Sequence, residues 1–317
     1  MKRDSFRLLA GLLVAVALAA ACGALTQQSS AATAPTPPDT LVCVFHHHGG
    51  GSGAAEMALP IGGVYAGKWR SGEGWRRELP KDAKLTLYSL TGGAIGTLQL
   101  SGLVSSSEFR GFTGDWRLEG AGDLADLTYT GIEKSFPTGE LALAVWRRGD
   151  GAVFWPAAKI LARDDAKYLK LAREFFISRG LDKYLEEHKL DAKLVEQITI
   201  AQLLSADLDG DGKDEALISA GWSELAPPLV TLGTPGVTDW QCLLLVKTGE
   251  AGEQVVPLSF DDRSSFGEPE QVLGCVDLDS DGKAEVVTAY RLDPDEFRIY
   301  QWSPAKLAAT YSSSYGE

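Results

Sequence analysis

The chain has 317 residues, of which 44% are hydrophobic and 23% are charged. These fractions are those of a globular protein rather than a disordered or fibrous one, and the length leaves room for two ordinary domains. The formal net charge of −13 argues against nucleic acid as a partner, because a nucleic-acid-binding surface needs clustered positive charge.

Residues 1–21 have the pattern of a secretory signal peptide. Three basic residues within the first seven positions precede an apolar run that begins at Leu8 and is too short to cross a membrane. Residues 18–22 resemble a bacterial lipobox ending in Cys22. The resemblance implies that Cys22 is lipidated and anchors the protein to the membrane of the cell envelope. The alternative is plain secretion, and both place the protein outside the cytoplasm.

Residues 22–58 are predicted to form a flexible tether, since the first part is rich in Gln, Ser, Ala, Thr and Pro. His46, His47 and His48 follow, and then a glycine-rich stretch. Imidazoles bind zinc, nickel or copper, but adjacent residues of an extended chain point to opposite faces. We therefore expect a polar linker, and a metal-handling role that involves Cys43 is the alternative.

Residues 59–162 are predicted to form an all-β domain. Short strand-like runs with period-two patterning alternate with glycine turns, which favours a β-sandwich or barrel; the run 63–69 is predicted as one strand. Trp69, Trp116, Trp146 and Trp155 lie in these runs. Aromatic residues in strands most often belong to the core, and a carbohydrate-stacking platform is the alternative.

Residues 163–190 are predicted to be helical. Apolar residues recur at helical spacing between Tyr168 and Leu185, and Asp164 and Asp165 place negative charge at the N-terminal end. We expect Gly180 to divide the segment into two helices. The apolar stripe is predicted to pack on a β-sheet, because an exposed stripe of this size would promote aggregation.

Two nine-residue segments within the last region, 207–215 and 277–285, share one pattern. Each has carboxylates at positions 1, 3, 5 and 9 and a glycine at position 6. Alternate carboxylates direct oxygens to one hard cation, the glycine permits a sharp turn, and the carbonyl at position 7 adds a ligand. The alternative is an acidic surface turn that binds nothing.

The flanks of these two loops exclude a helix–loop–helix calcium site. Such a site has an acidic ligand at position 12, where this chain has Ile218 in one loop and Thr288 in the other. Short apolar runs precede and follow each loop, which predicts a strand–loop–strand unit.

This unit resembles the FG-GAP or VCBS-type repeat, in which a D-x-D-x-D-G-x-x-D/E loop binds calcium between two strands of a propeller-like blade. The resemblance covers about residues 195–317 and implies a two-repeat, propeller-like β domain that holds two Ca²⁺ ions. The implied ligands are the side chains of Asp207, Asp209, Asp211, Glu215, Asp277, Asp279, Asp281 and Glu285, with the carbonyls of Lys213 and Lys283.

Besides Cys22, the chain has three cysteines, an odd number in an oxidising compartment. Cys242 and Cys275 lie in predicted strands of the same domain. A disulfide between them and a pair of buried thiols are both compatible with the sequence.

Taken together, these patterns predict a mainly β protein with one helical segment. The predicted order is a signal peptide (1–21), a tether (22–58), an all-β domain (59–162), a helical segment (163–190) and a calcium-loop β domain (191–317). The sequence favours a non-enzymatic calcium-binding surface protein with a structural or adhesion-like role and a protein or glycan ligand.

Two other functions are compatible with the sequence. One is an exported hydrolase or metal-handling enzyme, for which Asp115, Glu119, Asp123 and Asp126 offer carboxylates without a spacing that assigns acid and base roles. The other is an envelope protein whose chains associate so that their two-motif halves complete a propeller.

Overall fold

The computed structural model describes residues 39–46, 57–71, 79–80, 83–105, 123–130, 141–149, 156–223, 239–249, 252–262, 269–290, 295–303 and 306–315. All of them belong to one compact unit, residues 37–317. They are mainly β, with three helices, which confirms the predicted fold class at that level.

The N-terminal part of this unit forms a seven-stranded antiparallel sheet. Its strands are β1 (Thr40–His46), β2 (Met57–Tyr65), β3 (Lys68–Ser71), β4 (Lys84–Tyr88), β5 (Ala94–Ser105), β6 (Asp123–Thr130) and β7 (Leu141–Arg147). Their order is β1-β7-β4-β5-β6-β2-β3, and β1 also pairs with β2. The prediction of one strand over 63–69 is wrong, because Ala66 and Gly67 have positive φ and turn the chain into the β2–β3 hairpin.

The helical prediction is confirmed. Helix α1 spans Ala166–Ser178, helix α2 spans Leu181–Glu187, and Gly180 lies between them. Asp165 caps α1, since its side chain accepts the Lys167 N–H at 2.9 Å. A 3₁₀ helix at Ala192–Gln197 then leads into the following sheet.

The C-terminal part contains two further antiparallel sheets. The first has five strands in the order β12-β11-β10-β9-β8: β8 (Lys159–Ile160), β9 (Thr199–Ala206), β10 (Glu215–Trp222), β11 (Trp240–Gly249) and β12 (Gly252–Asp261). The second has four strands in sequential order: β13 (Gln271–Val276), β14 (Glu285–Tyr290), β15 (Asp295–Ser303) and β16 (Lys306–Tyr315).

Within the part of the chain that the structure describes, three hydrophobic cores join these elements in layers. The first lies between the helices and one face of the five-stranded sheet, where Phe176 and Leu244 are buried. The second lies between the other face of that sheet and the four-stranded sheet, and it buries Leu243. The third joins the four-stranded sheet to the seven-stranded sheet. Because side chains alternate along a strand, the neighbours Leu243 and Leu244 serve different cores. The apolar stripe of the helices therefore packs on a sheet, as predicted.

The open questions about cysteine and tryptophan are answered for the described residues. Cys43, Cys242 and Cys275 are buried free thiols, so Cys242 and Cys275 do not form a disulfide. Trp146 is buried, and Trp69 is partly buried and packs against the third core, so both belong to the hydrophobic core, as predicted. Trp116 and Trp155 lie outside the described residues.

In the part of the chain that the structure describes, no helix is both long enough and apolar enough to cross a membrane.

Candidate metal centre

Each acidic loop connects two neighbouring antiparallel strands of one sheet. Loop 1, residues 207–215, leaves β9 and enters β10, with Ala206 paired to Glu215 across its base. Loop 2, residues 277–285, connects β13 and β14 in the same way, with Val276 paired to Glu285. The strand–loop–strand prediction is confirmed for both loops.

Three carboxylates converge in each loop. In loop 1 they belong to Asp207, Asp209 and Glu215, and each residue offers an oxygen within 4.8 Å of those of the other two. Loop 2 brings together Asp277, Asp279 and Glu285 in the same way. These are the carboxylates of positions 1, 3 and 9, so the structure groups six of the eight predicted side-chain ligands into two sets of three.

The carboxylate at position 1 organises the turn through the loop backbone. Asp207 Oδ2 accepts the Gly212 N–H at 3.0 Å, and Asp277 Oδ2 accepts the Gly282 N–H at the same distance. Both glycines have positive φ, 84° and 86°, a conformation that disfavours side chains with a Cβ. Glycine therefore occurs at position 6 in both loops because the backbone there has a positive φ.

The glutamate at position 9 ties the end of each loop to its beginning. Glu215 Oε2 accepts the Leu208 N–H at 2.8 Å, and Glu285 Oε2 accepts the Leu278 N–H at 2.8 Å. Leu208 and Leu278 are fully buried, so each loop is anchored in a hydrophobic core at position 2. In both loops the glutamate side chain at position 9 thus reaches the backbone at position 2 and lies within the set of three carboxylates.

Four of these carboxylates are electrostatically unfavourable in their ionised form without a cation. Burial, reinforced by the neighbouring carboxylates, raises the pKa of Glu285 to about 9 and that of Glu215 to about 7. Burial also raises the pKa of Asp277 and Asp279. Groups that resist ionisation in this way are those that a bound cation would stabilise most.

The remaining predicted ligands are placed differently. Asp211 Oδ1 accepts the Lys213 N–H at 2.8 Å, and Asp281 Oδ1 accepts the Lys283 N–H at 2.9 Å. Neither aspartate belongs to the convergent sets of three. Their coordination of calcium, and that of the Lys213 and Lys283 carbonyls, stays a prediction.

The two loops lie directly against each other. The Ala284 N–H of loop 2 donates to the Leu208 carbonyl of loop 1 at 2.8 Å. A Cβ built on Gly210 would lie 2.6 Å from the Gly282 carbonyl oxygen. The sequence repeat identified two similar loops, but only the tertiary structure shows that they pack together as one candidate metal centre, named here the double centre.

The donor set fits a calcium ion. All the convergent atoms are carboxylate oxygens, which are hard ligands, and the sets contain no nitrogen or sulfur that would favour a transition metal. Asp209 Oδ1 is a buried oxygen for which the described residues supply no hydrogen-bond donor. A buried polar atom of this kind is costly unless a ligand satisfies it.

Sequence analysis missed the side chains that flank the double centre. Lys247 Nζ lies 2.7 Å from Asp209 Oδ2 and 4.4 Å from the centre of the Trp302 ring. The side chain of Gln301 lies beside Asp279. Arg147, at the end of β7, donates to Ser280 Oγ at 2.8 Å. These residues are distant from the loops in sequence, so no local spacing could have indicated them.

A second polar cluster was also missed, and it surrounds the buried carboxylate of Glu270. Arg298 NH1 donates to Glu270 Oε2 at 3.0 Å, and the Tyr300 hydroxyl donates to Oε1 at 2.9 Å. Ser259 and Thr288 also donate to this carboxylate. A cavity of about 120 Å³ lies beside it, between the five-stranded and four-stranded sheets. The saturated hydrogen bonding of Glu270 indicates a structural ion pair.

Other predicted site residues are not placed by the structure. Cys22, His47, His48, Asp115 and Glu119 lie outside the described residues. His46, Asp123 and Asp126 lie in strands, and only their backbone is described.

Comparisons with protein-family models, with curated proteins and with solved structures found no match for this chain. The interpretation of the two loops therefore rests on their own residues and geometry.

Proposed function

We propose that this chain is a calcium-binding protein in which two ions, one in each loop, stabilise the packing of its sheets. The observation that carries the proposal is the duplication of a convergent set of three carboxylates in one strand–loop–strand setting. The backbone hydrogen bonds at positions 1 and 9 are also duplicated. An acidic surface turn that binds no ion does not require the same convergent carboxylates and the same backbone hydrogen bonds in two separate loops.

The two loops belong to two equivalent β units, which we interpret as repeats of a propeller-like domain of the FG-GAP or VCBS type. Strands β9–β12 and β13–β16 are each four-stranded antiparallel meanders, and the loop joins the first two strands in both. The sheet formed by β1–β7 is proposed to be one layer of a β-sandwich, because a hydrophobic core joins it to the four-stranded sheet. Association of chains to complete a propeller stays a hypothesis.

The role that follows from this proposal is structural or adhesive rather than enzymatic. Calcium would hold two sheets together outside the cytoplasm, and a protein or glycan ligand would bind elsewhere on the β surface. The alternative of a hydrolase or metal-handling enzyme rests on residues whose side chains the structure does not describe. The observed carboxylate centre favours the calcium-binding role.

Thermal unfolding tests the proposed calcium sites. A ligand that binds only the folded state adds about 2.7 kcal/mol per site at a hundredfold excess over its Kd. We therefore expect the Tm of the full chain to be several degrees higher in calcium than in chelator. The double variant Asp207→Asn with Asp277→Asn should lose most of this difference.

Asp164→Asn is the matched control for that experiment. It removes one negative charge from an exposed position outside the loops, so it should retain the full calcium-dependent shift in Tm. An unchanged Tm for the native chain in calcium and in chelator would contradict the proposal.

We further propose that Cys22 is lipidated and that the chain is tethered to a membrane of the bacterial cell envelope. The supporting pattern is the basic, apolar and small-residue order of residues 1–22. Fractionation of cells that express the native chain and Cys22→Ser tests this. The variant should leave the membrane fraction, and co-fractionation of both proteins with membranes would refute lipid anchoring.

A further inference from the structure

The two loops differ in the residue that faces the aspartate at position 3. In loop 1, Lys247 Nζ lies 2.7 Å from Asp209 Oδ2. In loop 2, the residue beside Asp279 is Gln301, whose side chain is neutral. The neighbour of the position-3 aspartate is thus a cation in loop 1 and a neutral amide in loop 2. A cation also lies beside loop 2, but this residue, Arg147, donates to Ser280 Oγ at 2.8 Å.

Lys247 and Gln301 occupy equivalent places in the two β units. Ala216 of β10 pairs with Val246, so Lys247 follows opposite the end of loop 1. Val286 of β14 pairs with Tyr300 of β15, so Gln301 follows opposite the end of loop 2 in the same register. The difference is therefore a substitution at one structural position rather than a chance surface contact.

Two contacts hold the ammonium group of Lys247 beside loop 1, one with Asp209 and one with Trp302. Its side chain is only 27% exposed, and that of Asp209 is 21% exposed, so solvent screens the pair incompletely. The Trp302 ring lies 4.4 Å from Nζ and supports the ammonium by a cation–π contact. Trp302 is itself fixed, because its Nε1–H donates to the Ala284 carbonyl at 3.0 Å.

We propose that Lys247 makes loop 1 the weaker of the two calcium sites, so that the double centre loads in two steps, with loop 2 filled first. This inference rests on the proposed calcium function and specifies how that function is regulated. Lys247 bonds Asp209 Oδ2 and leaves Asp209 Oδ1 for a cation. Lys247 adds a positive charge to the same carboxylate, which opposes a second cation there by Coulomb repulsion.

The contact between the loops means that calcium binding to loop 2 affects the backbone of loop 1. Ala284 of loop 2 donates to Leu208 of loop 1, so filling loop 2 fixes the backbone from which loop 1 begins. Loop 2 then serves as the structural site. Loop 1 responds to calcium at higher concentration, and its Asp209 is shared between the cation and Lys247.

A reciprocal exchange of the two residues tests the proposal by calorimetric titration of the full chain with calcium. Lys247→Gln keeps a donor beside loop 1 and removes the charge, so the weaker Kd should decrease by about tenfold or more. Gln301→Lys adds the charge beside loop 2, so the tighter Kd should increase by a similar factor. In an Asp277→Asn background, only loop 1 should remain, and Lys247→Gln should still tighten it.

Circular dichroism and melting in chelator establish that each variant is folded before titration. If the native chain binds two ions but both exchanges change each Kd by less than about twofold, the two-step inference is overturned while the calcium proposal stands. A weaker Kd after Lys247→Gln would also overturn it, since Lys247 would then assist binding. If the native chain binds no calcium, the proposed function itself fails.

Discussion

The contact between the two loops makes a quantitative prediction for a pair of glycines. Gly210 and Gly212 both have positive φ, 74° and 84°, so alanine at either position incurs a left-handed backbone penalty of about 1–2 kcal/mol. A Cβ on Gly212 would meet nothing within 4 Å, whereas a Cβ on Gly210 would lie 2.6 Å from the Gly282 carbonyl oxygen. Both substitutions thus incur the backbone penalty, but only Gly210→Ala also incurs a steric clash with loop 2.

The additional cost at Gly210 follows from the rigidity of its neighbour. The Gly282 carbonyl belongs to the backbone of loop 2, whose Gly282 N–H is bonded to Asp277, so it cannot move as a flexible side chain would. Overpacking against fixed atoms typically costs about 1–3 kcal/mol. We expect Gly210→Ala to lower the free energy of unfolding by about 2–5 kcal/mol and Gly212→Ala by about 1–2 kcal/mol.

Urea denaturation of both variants in chelator and in excess calcium measures these differences. Gly212→Ala is the matched control, because it changes the same loop in the same way without touching loop 2. If the two variants lose equal stability within about 0.5 kcal/mol, the loops do not press against each other and the double centre is wrong.

Three further predictions concern buried charge and buried thiols. Glu270→Ala should cost about 3–5 kcal/mol, because it removes a buried charge that accepts hydrogen bonds from Arg298, Tyr300, Ser259 and Thr288 and leaves these donors without it. Glu296→Ala removes a more exposed partner of the same arginine and should cost about 1 kcal/mol or less; equal losses in urea denaturation would argue against a buried ion pair. The raised pKa values of Glu215 and Glu285 mean that the folded chain binds protons more tightly than the unfolded chain. In chelator, Tm should therefore rise as the pH falls from about 9 toward 5, and the calcium-dependent increment should shrink over the same range, because protons compete for the carboxylates. A calcium increment that grows on acidification would contradict this. The three buried cysteines should resist a maleimide reagent in the folded chain and react after unfolding, and rapid labelling of the folded chain would contradict their burial.

Local patterns predicted much of this structure, because the forces behind them act over a few residues. The carboxylate spacing and the glycine at position 6 determine the shape of each loop, whatever surrounds it. The helical period, with Gly180 as a break, gave the two helices and the face that they bury. The prediction at 63–69 was wrong because a two-residue turn lies between residues that each favour a strand.

Tertiary features were beyond the sequence pattern. Nothing near Gly210 indicates that it contacts Gly282, and nothing near Lys247 indicates a partner thirty-eight residues earlier in the chain. Glu270 looks like an ordinary loop residue until its donors, from three strands in two sheets, are seen together. Such long-range contacts depend on how whole sheets stack, which periodicity does not specify.

The central claim is that both loops bind calcium, and equilibrium dialysis of the full chain against calcium tests it most directly. The account predicts two ions bound per chain at saturation, and one ion when Asp277→Asn disables loop 2. A native chain that retains no calcium above the buffer concentration would contradict the claim.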